Sequence, residues 1–483
     1  MASTAASARA PLILNAFNMA SVGHINHGLW THPRDQSSHY HRLDYWTGLA
    51  KELERGLFDG LFIADIIGAY DTYQQSVDVT LRESVQLPIN DPTLVVPAMA
   101  AVTEHLGFGV TVNLSYEQPY LLARRFSTLD HLTQGRIGWN IVTGYLDSAA
   151  RAMGQHQQLA HDARYDRADE FMDVLYQLWE GSWSDSAVRR DRAGRVYADP
   201  QLVRRVQHSG AHFQVDGYHL SEPSPQRTPV LLQAGSSGRG LQFAARHAEC
   251  VFMAIQDKAA TAALVLQLRA EAVRAGRQPG DIKVLVGMTP VVGATTRQAQ
   301  EKYQEYCRYA SPEAALAHLS ATAGIDFSTY QRDTPLLQQH RSNGIENSIK
   351  RLANGREDYR LGDLIDELAL GGRYATVVGD AQQIADEMQS WVEEAGVDGF
   401  NLARTVVPEC FGDFIDLVVP ELQSRGLHKS AYAPGSMRHK LFGQGDRLPA
   451  HHHAQQFRQQ PSGGGASVAA SPSLSTPRAQ ALA

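Results

Sequence analysis

The residues best suited to chemistry in this 483-residue chain sit where short apolar runs end. Gln233-Ala234-Gly235-Ser236-Ser237-Gly238-Arg239-Gly240 leaves one such run and enters a helical pattern holding Phe243, Ala244 and His247. Small residues, two hydroxyls and an arginine at a helix start offer free N–H donors and a favourable dipole to a phosphate. A Gly-rich turn with an N-cap serine has the same composition, so this run alone leaves both possibilities open. Asp65 closes another run, Thr111 and Asn113 a third, and Asn140 and Thr143 a fourth. Each alone reads as a cap or turn residue; on consecutive strand C-termini they outline one polar, ring-shaped mouth. His161-Asp162-Ala163-Arg164-Tyr165-Asp166 starts a long helical pattern, where a capped N-terminus with its acids paired to arginines is the plain expectation. His24, His27, Trp30, His32 and Arg34 crowd residues 18–38. Asp35 is the only acid beside them and their spacing fits no ligand pattern, so no metal site is expected.

Elements must carry these residues. Residues 12–17, 60–65, 108–113, 137–143, 229–235, 250–255, 282–293 and 399–404 read as strands. Between the first two, Trp46, Leu49, Ala50, Leu53 and Leu57 fall on one helical face, and Phe171, Val174, Leu175 and Leu178 repeat the pattern after the fourth. Before the eighth, Asp380 and Gln383 open a helix that Gly396 closes. Alternating strands and helices predict a (β/α)8 TIM barrel, with a doubly wound open sheet as the rival. Residues 181–228 and 295–373 do not fit a plain barrel and are expected as insertions in the βα loops. Residues 1–11 are expected to be a flexible N-terminus, 12–449 the barrel domain, and 450–483 a disordered tail poor in large apolar residues, with His451–His453 solvated.

Composition narrows the function classes. Lys+Arg 44 against Asp+Glu 51 leaves a net charge of −7, which argues against a broad basic face for nucleic acid or for a membrane. Cys250, Cys307 and Cys410 are odd in number and far apart, so neither a disulfide framework nor structural zinc is indicated and a reducing cytoplasmic compartment fits. No GxGxxG or GxxxxGK[ST] run occurs.

Taken together, many of these runs resemble the bacterial-luciferase-like flavin monooxygenases. They include Asn15-Ala16-Phe17, Gly23-His24, His27-Gly28-Leu29-Trp30, Asp65, Asp91-Pro92 and Ala123-Arg124-Arg125 followed by Thr128-Leu129-Asp130. Gly135-Arg136, Trp139-Asn140, His161-Asp162 with Arg164-Tyr165-Asp166, and Gln233-Ala234-Gly235 complete the series. Their fixed order over roughly residues 12–447 is similar to the subgroup of nitrilotriacetate monooxygenase, pristinamycin synthase and dibenzothiophene-sulfone monooxygenase. Val22-Gly23-His24-Ile25, Ala69-Tyr70-Asp71, Arg82-Glu83-Ser84-Val85-Gln86 and Asn90-Asp91-Pro92 look most like long-chain alkane monooxygenase.

The resemblance implies FMN contacts at Asp65, Thr111, Asn140, His161, Tyr165, Ser236 and Ser237, with Gly144 near the phosphate end. It implies catalytic roles for His24, Tyr70, Gln86 and His318 at the reacting face of the flavin. Ser21 and Tyr145, beside the substrate pocket, depart from the alkane enzyme's cysteine and histidine, so the flavin chemistry is better supported than an alkane substrate. The implied reaction uses FMNH2 and O2 through a flavin C4a-peroxide or hydroperoxide, which solvent must not reach. Without an NAD(P)H fingerprint, FMNH2 is expected from a separate NAD(P)H:flavin reductase, and family members are homodimers or homotetramers. The substrate is expected to be small and apolar, alkane-like or organosulfur, because no segment shows arginines and lysines converging on carboxylates. Hydride transfer with a deazaflavin on the same barrel, or an inactive flavin-binding protein, are the alternatives.

Overall fold

The computed structural model describes residues 10–235, 237–339, 353, 356–368, 370–372 and 374–459. Eight parallel strands close a barrel: β1 (Ile13–Met19), β2 (Gly60–Ala64), β3 (Gly107–Asn113), β4 (Ile137–Val142), β5 (Val230–Gln233), β6 (Cys250–Met253), β7 (Lys283–Val292) and β9 (Gly399–Ala403). β6 pairs with β7 and β9 with β1, which completes the ring and leaves the barrel itself no free edge. Each strand is covered on both faces, so the segments are almost continuously apolar rather than alternating. Ile13, Phe17, Phe62, Leu232 and Leu285 fill the interior, while Leu14, Ala16, Leu61 and Ile63 belong to the outer layer under the helices. Gly109 makes room for the filling: a Cβ there would lie 2.8 Å from Leu232 Cδ1 and 3.1 Å from Phe62 Cδ2.

The helical readings explain the outer layer. Helix α1 (Leu43–Arg55) buries Trp46, Leu49, Ala50 and Leu53. Helix α8 (Ala381–Ala395) is opened by a reciprocal Asp380 and Gln383 cap and ends at Gly396, whose φ of +69° a side chain resists. Between them in sequence lie α2 (Pro119–Leu132), α3 (His161–Tyr176), α4 (Gly238–His247), α5 (Lys258–Arg274), α6 (Thr296–Cys307) and α7 (Pro312–Ala323). A short last helix, α9 (Met437–Phe442), crosses the N-terminal end of the barrel. Met437 enters the interior cluster there, its sulfur 3.0 Å from where a Gly107 Cβ would stand.

Four expectations change. Residues 181–228 do not form a βα loop: they join the end of the α3 segment to β5, on the αβ side. Their two hairpins, Val188–Asp191 with Val196–Ala198 and Val206–Ser209 with Gln214–Gly217, dress the outside of α2 and α3. His208 Nε2 lies 3.0 Å from Glu170 Oε1 and His219 Nε2 3.0 Å from Ser127 Oγ, so these two histidines tie the segment to α3 and α2. Residues 295–373 do follow a strand end, β7, and bring α6 and α7 toward the mouth. Second, a ninth strand, β8 (Ala375–Gly379), pairs with Met288–Val292, where β7 overshoots its pairing with β9. Third, residues 450–459 are ordered rather than part of a disordered tail. Fourth, His451–His453 are not solvated. His451 Nε2 donates to Asp281 at 2.5 Å, His452 Nε2 to the His247 carbonyl at 3.1 Å and His453 Nε2 to Asp173 at 2.8 Å. Hydrogen bonds to the barrel, together with the burial of Ala454 and the packing of Phe457 on Tyr176, hold this segment, which composition could not show. Residues 1–9 and 460–483 lie outside the described residues. Among the described residues no helix is long and apolar enough to cross a membrane.

Candidate active site

Three adjoining cavities open at the C-terminal ends of the strands. The first, about 270 Å³, lies over β4 and β5 and the start of α3; the second, about 220 Å³, shares Asp65, Ile66, Ile67 and Asn113 with it. The third, about 360 Å³, lies under α7 and shares Tyr145 and Ala234 with the first.

The first two cavities carry more polar lining than the third. Asp65 follows β2 and reaches both; burial pushes its carboxyl up to about 7, the Ile66 N–H opposes this and Asp91 adds to it. Asn140 on β4 donates from Nδ2 to Thr111 Oγ1 on β3 at 2.9 Å, which leaves its Oδ1 buried without a partner. Gln233 Oε1, at the end of β5, is likewise buried and unpartnered. Two bare acceptors at one mouth are unusual in a folded interior and fit donors supplied by a ligand. Gly144 holds φ at +67°, and a Cβ there would come within 2.5 Å of Asn113 Nδ2, so the chain passes close to the cavity only as glycine.

At the cavity's α3 side, His161 Nδ1 lies 2.7 Å from Asp162 and its Nε2 3.2 Å from Ser237 Oγ. Ser237 caps α4 by accepting from the Gly240 N–H at 3.0 Å. Tyr165 packs against Phe243 with ring centroids 5.5 Å apart. The arginine that suggested a phosphate site is spent elsewhere: Arg239 pairs with Asp166 at 3.1 Å and with Asp169. Arg164 takes its place. It lines the first cavity, donates from Nη1 to the Leu159 carbonyl at 2.7 Å, and keeps Nε buried without a partner. Among the described residues no carboxylate forms an ion pair with it, and burial lowers its pKa. Ser236 lies outside the described residues.

The third cavity is mostly apolar, with Ile25, Ala254, Ala315, Leu319, Leu368 and Tyr374 among its walls and, among the described residues, no lysine or arginine lining it. His27, Tyr145 and His318 supply most of its polarity. Tyr70 stands behind them: its hydroxyl donates to Gln86 Oε1 at 2.7 Å and lies 3.4 Å from the Tyr145 hydroxyl, while its ring stacks on His318 at 5.0 Å. Burial drives the Tyr70 phenol well above its ordinary range and holds His24 and His27 well below theirs, with Arg404 contributing to both histidines. Gln86 and Ser84 hold left-handed backbone, φ +56° and +52°, and the Ser84 carbonyl would sit 2.0 Å from a Cβ at Gly23. Glycine at 23 therefore lets the 84–86 segment press against the first loop and aim Gln86 at Tyr70. Ser21 and His24 line none of these three cavities: Ser21 is fully buried, its hydroxyl 3.3 Å from the Gly23 carbonyl, and His24 packs edge-on to Phe17 at 4.4 Å.

Residues 25–399 match the model of the luciferase-like monooxygenase family. The chain belongs to that family. It is similar to dimethyl-sulfide monooxygenase of Hyphomicrobium sulfonivorans, 48% identical over 92% of this chain and 94% of the relative. It is also similar to long-chain alkane monooxygenase of Geobacillus thermodenitrificans, 49% identical over 92% and 97%. A crystal structure of riboflavin lyase with modified FMN and riboflavin superposes with a TM-score of 0.87 at 38% identity, covering 93% of this chain and 100% of that one. This luciferase-like monooxygenase thus gathers Asp65, Thr111, Asn140, Gly144, His161, Tyr165 and Ser237 around the polar cavities and Tyr145 and His318 at the apolar one. The sequence singled out neither Arg164 nor Gln233 as a ligand contact, although both sit inside runs it flagged. Counting carboxylates across the mouth would have been needed, since only the fold shows which arginine is already paired.

Proposed function

We propose that this monooxygenase is the oxygenase component of a two-component system: it receives reduced FMN from a separate NAD(P)H:flavin reductase and uses dioxygen to add one oxygen atom to a small uncharged substrate, alkane-like or organosulfur. The observation that carries this is a polar cavity and an apolar cavity sharing the Tyr145–Ala234 wall at the barrel mouth. The polar residues fit FMN. Asn140 Oδ1 and Gln233 Oε1 are unpartnered acceptors for ring N–H or ribityl hydroxyl donors. Arg164, with Ser237 and His161, would hold the phosphate, and Gly144 leaves the backbone free to approach. Bound in its reduced form, the flavin supplies the electrons that make dioxygen reactive toward the substrate.

The chain's own part is to bind, to shield and to place protons. Asp65, protonated below about pH 7, offers a hydroxyl donor where a carboxylate would repel an electron-rich ring. Buried Tyr70 and Gln86, with half-buried His318 stacked on the Tyr70 ring, offer hydrogen-bond donors beside the neighbouring cavity. The third cavity, whose described walls are mostly apolar, favours an uncharged guest, in keeping with relatives named for dimethyl sulfide and for long-chain alkanes. Both of those relatives are monooxygenases, which sets aside deazaflavin hydride transfer and an inactive flavin carrier. A cytoplasmic location suits dependence on an NAD(P)H-driven partner, and we expect a homodimer or homotetramer. The test supplies purified enzyme with FMN, a flavin reductase, NADH or NADPH and ¹⁸O₂, and offers dimethyl sulfide, alkanes of graded length and nitrilotriacetate. Label should enter one of the uncharged compounds; preference for the tricarboxylate, or label in none of them, overturns the proposal.

A further inference from the structure

The His27 ring, buried at the apolar cavity, is tied to a histidine of α7. His27 Nε2 lies 3.0 Å from His318 Nδ1 across 291 residues of sequence, the two rings perpendicular with centroids 5.1 Å apart, and both line the cavity. A hydrogen bond between two neutral imidazoles needs one N–H and one lone pair, so only two arrangements exist. In the first, His27 donates from Nε2 and His318 keeps its own proton on Nε2. In the second, His318 donates from Nδ1 and His27 carries its proton on Nδ1. His27 Nδ1 is buried and has no hydrogen-bond partner. The second arrangement would strand an N–H there, whereas the first strands only a lone pair, which proteins tolerate more readily. Burial, His318 and Arg404 all oppose a charge on His27, so it does not escape the choice by taking a second proton.

We infer that His27 is a positioning residue: it donates from Nε2 to His318 Nδ1 and so fixes His318 as the Nε2–H tautomer, a neutral hydrogen-bond donor rather than a base at the substrate cavity. A donor held in one orientation suits negative charge developing on oxygen, and a lone pair in its place would oppose it. Tyr70, stacked on the His318 ring, keeps that ring from turning over to exchange its two nitrogens. The role in oxygenation rests on the function proposed above; the tautomer does not.

The experiment compares full-length wild type with His27→Leu and His27→Gln, using protein labelled with ¹⁵N-histidine and long-range ¹H–¹⁵N spectra assigned with His318→Gln. Wild type should show His318 protonated at Nε2 with an unprotonated Nδ1. His27→Leu should give a mixture of both tautomers, and His27→Gln, whose amide N–H can donate to Nδ1, should restore the single form. In turnover, His27→Leu should lower kcat and the fraction of oxygen consumed that reaches substrate by roughly five- to tenfold, the worth of one hydrogen bond, with KM little changed. His27→Gln should recover most of both. A wild-type His318 protonated at Nδ1, an unchanged tautomer in His27→Leu, or equal impairment of the two variants overturns the inference. If no variant or parent oxygenates any substrate, the proposed function fails while the spectra still decide the tautomer.

Discussion

The two ends of the barrel treat their polar groups in opposite ways. At the N-terminal end, buried Arg438 donates to both oxygens of Glu249 at 2.6 and 2.9 Å and to the carbonyls of Thr228, Pro229 and Asp446. Arg136 closes the carbonyls of Ala100, Thr103, Leu106 and Thr133, and buried Glu180 receives Arg447, Arg458 and Thr228. At the mouth, Asn140 Oδ1, Gln233 Oε1, His24 Nδ1 and His27 Nδ1 have no partner, and Arg164 has no carboxylate at ion-pair distance among the described residues. The N-terminal end is mostly completed by the chain itself and holds the fold, although both His428 ring nitrogens and Arg277 Nε lack hydrogen-bond partners there; the mouth leaves its bare groups open to what binds. The difference shows where stability and function can be altered separately.

Arg438→Met is the strongest way to break that separation. It leaves Glu249 buried and uncompensated and should lower unfolding stability by about 3–5 kcal/mol, with flavin affinity of the folded protein unchanged. Urea melts and fluorescence titrations decide it; a parallel loss of affinity would show that the ends are coupled. Arg164→Ala should do the reverse: FMN affinity falls roughly 10- to 100-fold, as for a charge-assisted hydrogen bond, while the unfolding midpoint stays put. Riboflavin, which lacks the phosphate, should bind wild type and variant alike, and an equal loss for both flavins would move the phosphate elsewhere.

Asp65 gives the mouth a pH signature of its own. Its folded pKa of about 7 lies above the unfolded value near 4, so the unfolded chain releases the proton first. Stability of the flavin-free protein should therefore fall as pH rises from about 4 to about 7 and then level off for this group. Asp65→Asn should remove the fall, a difference on the order of 1–2 kcal/mol once partial exposure is allowed for, seen by comparing melts at about pH 5 and pH 8. His24 and His27, held neutral, act in the opposite sense and weaken the fold as pH drops below the ordinary histidine value, so the difference between variant and parent is the quantity to measure. The smallest effect is expected from Arg458→Ala: Glu180 keeps Arg447 and Thr228, and the loss should be roughly 0.5–1.5 kcal/mol by thermal melt. A loss as large as that of Arg438→Met would mean the lower end has no redundancy.

The eight barrel strands were legible because burial on both faces leaves unbroken apolar runs in the sequence. β8 was not, because Ala375–Val378 are only partly buried. The polar stretch 181–228 looked like an active-site loop by composition; its position after a helix and before a strand was the better clue, since that order puts it at the far end. At the site, residues at strand ends such as Asp65 and Asn140 could be picked out singly, because periodicity locates the ends of strands. Pairings could not: Arg239 finds Asp166 and Asp169 about 70 positions away, and His27 finds His318 across 291. Such contacts belong to the closed ring, not to any local pattern.

Met437 and Arg438 complete the floor of the barrel from the chain's last tenth, one filling its centre and the other tying the starts of β5 and β6. A nascent chain emerging from the ribosome meets this requirement only at the end of synthesis, although its first strand appears hundreds of residues earlier. Early strands must wait in an open, incompletely packed state, exposed to chaperones and proteases. A message truncated shortly before codon 437 would encode every barrel strand and still leave an unfinished enzyme.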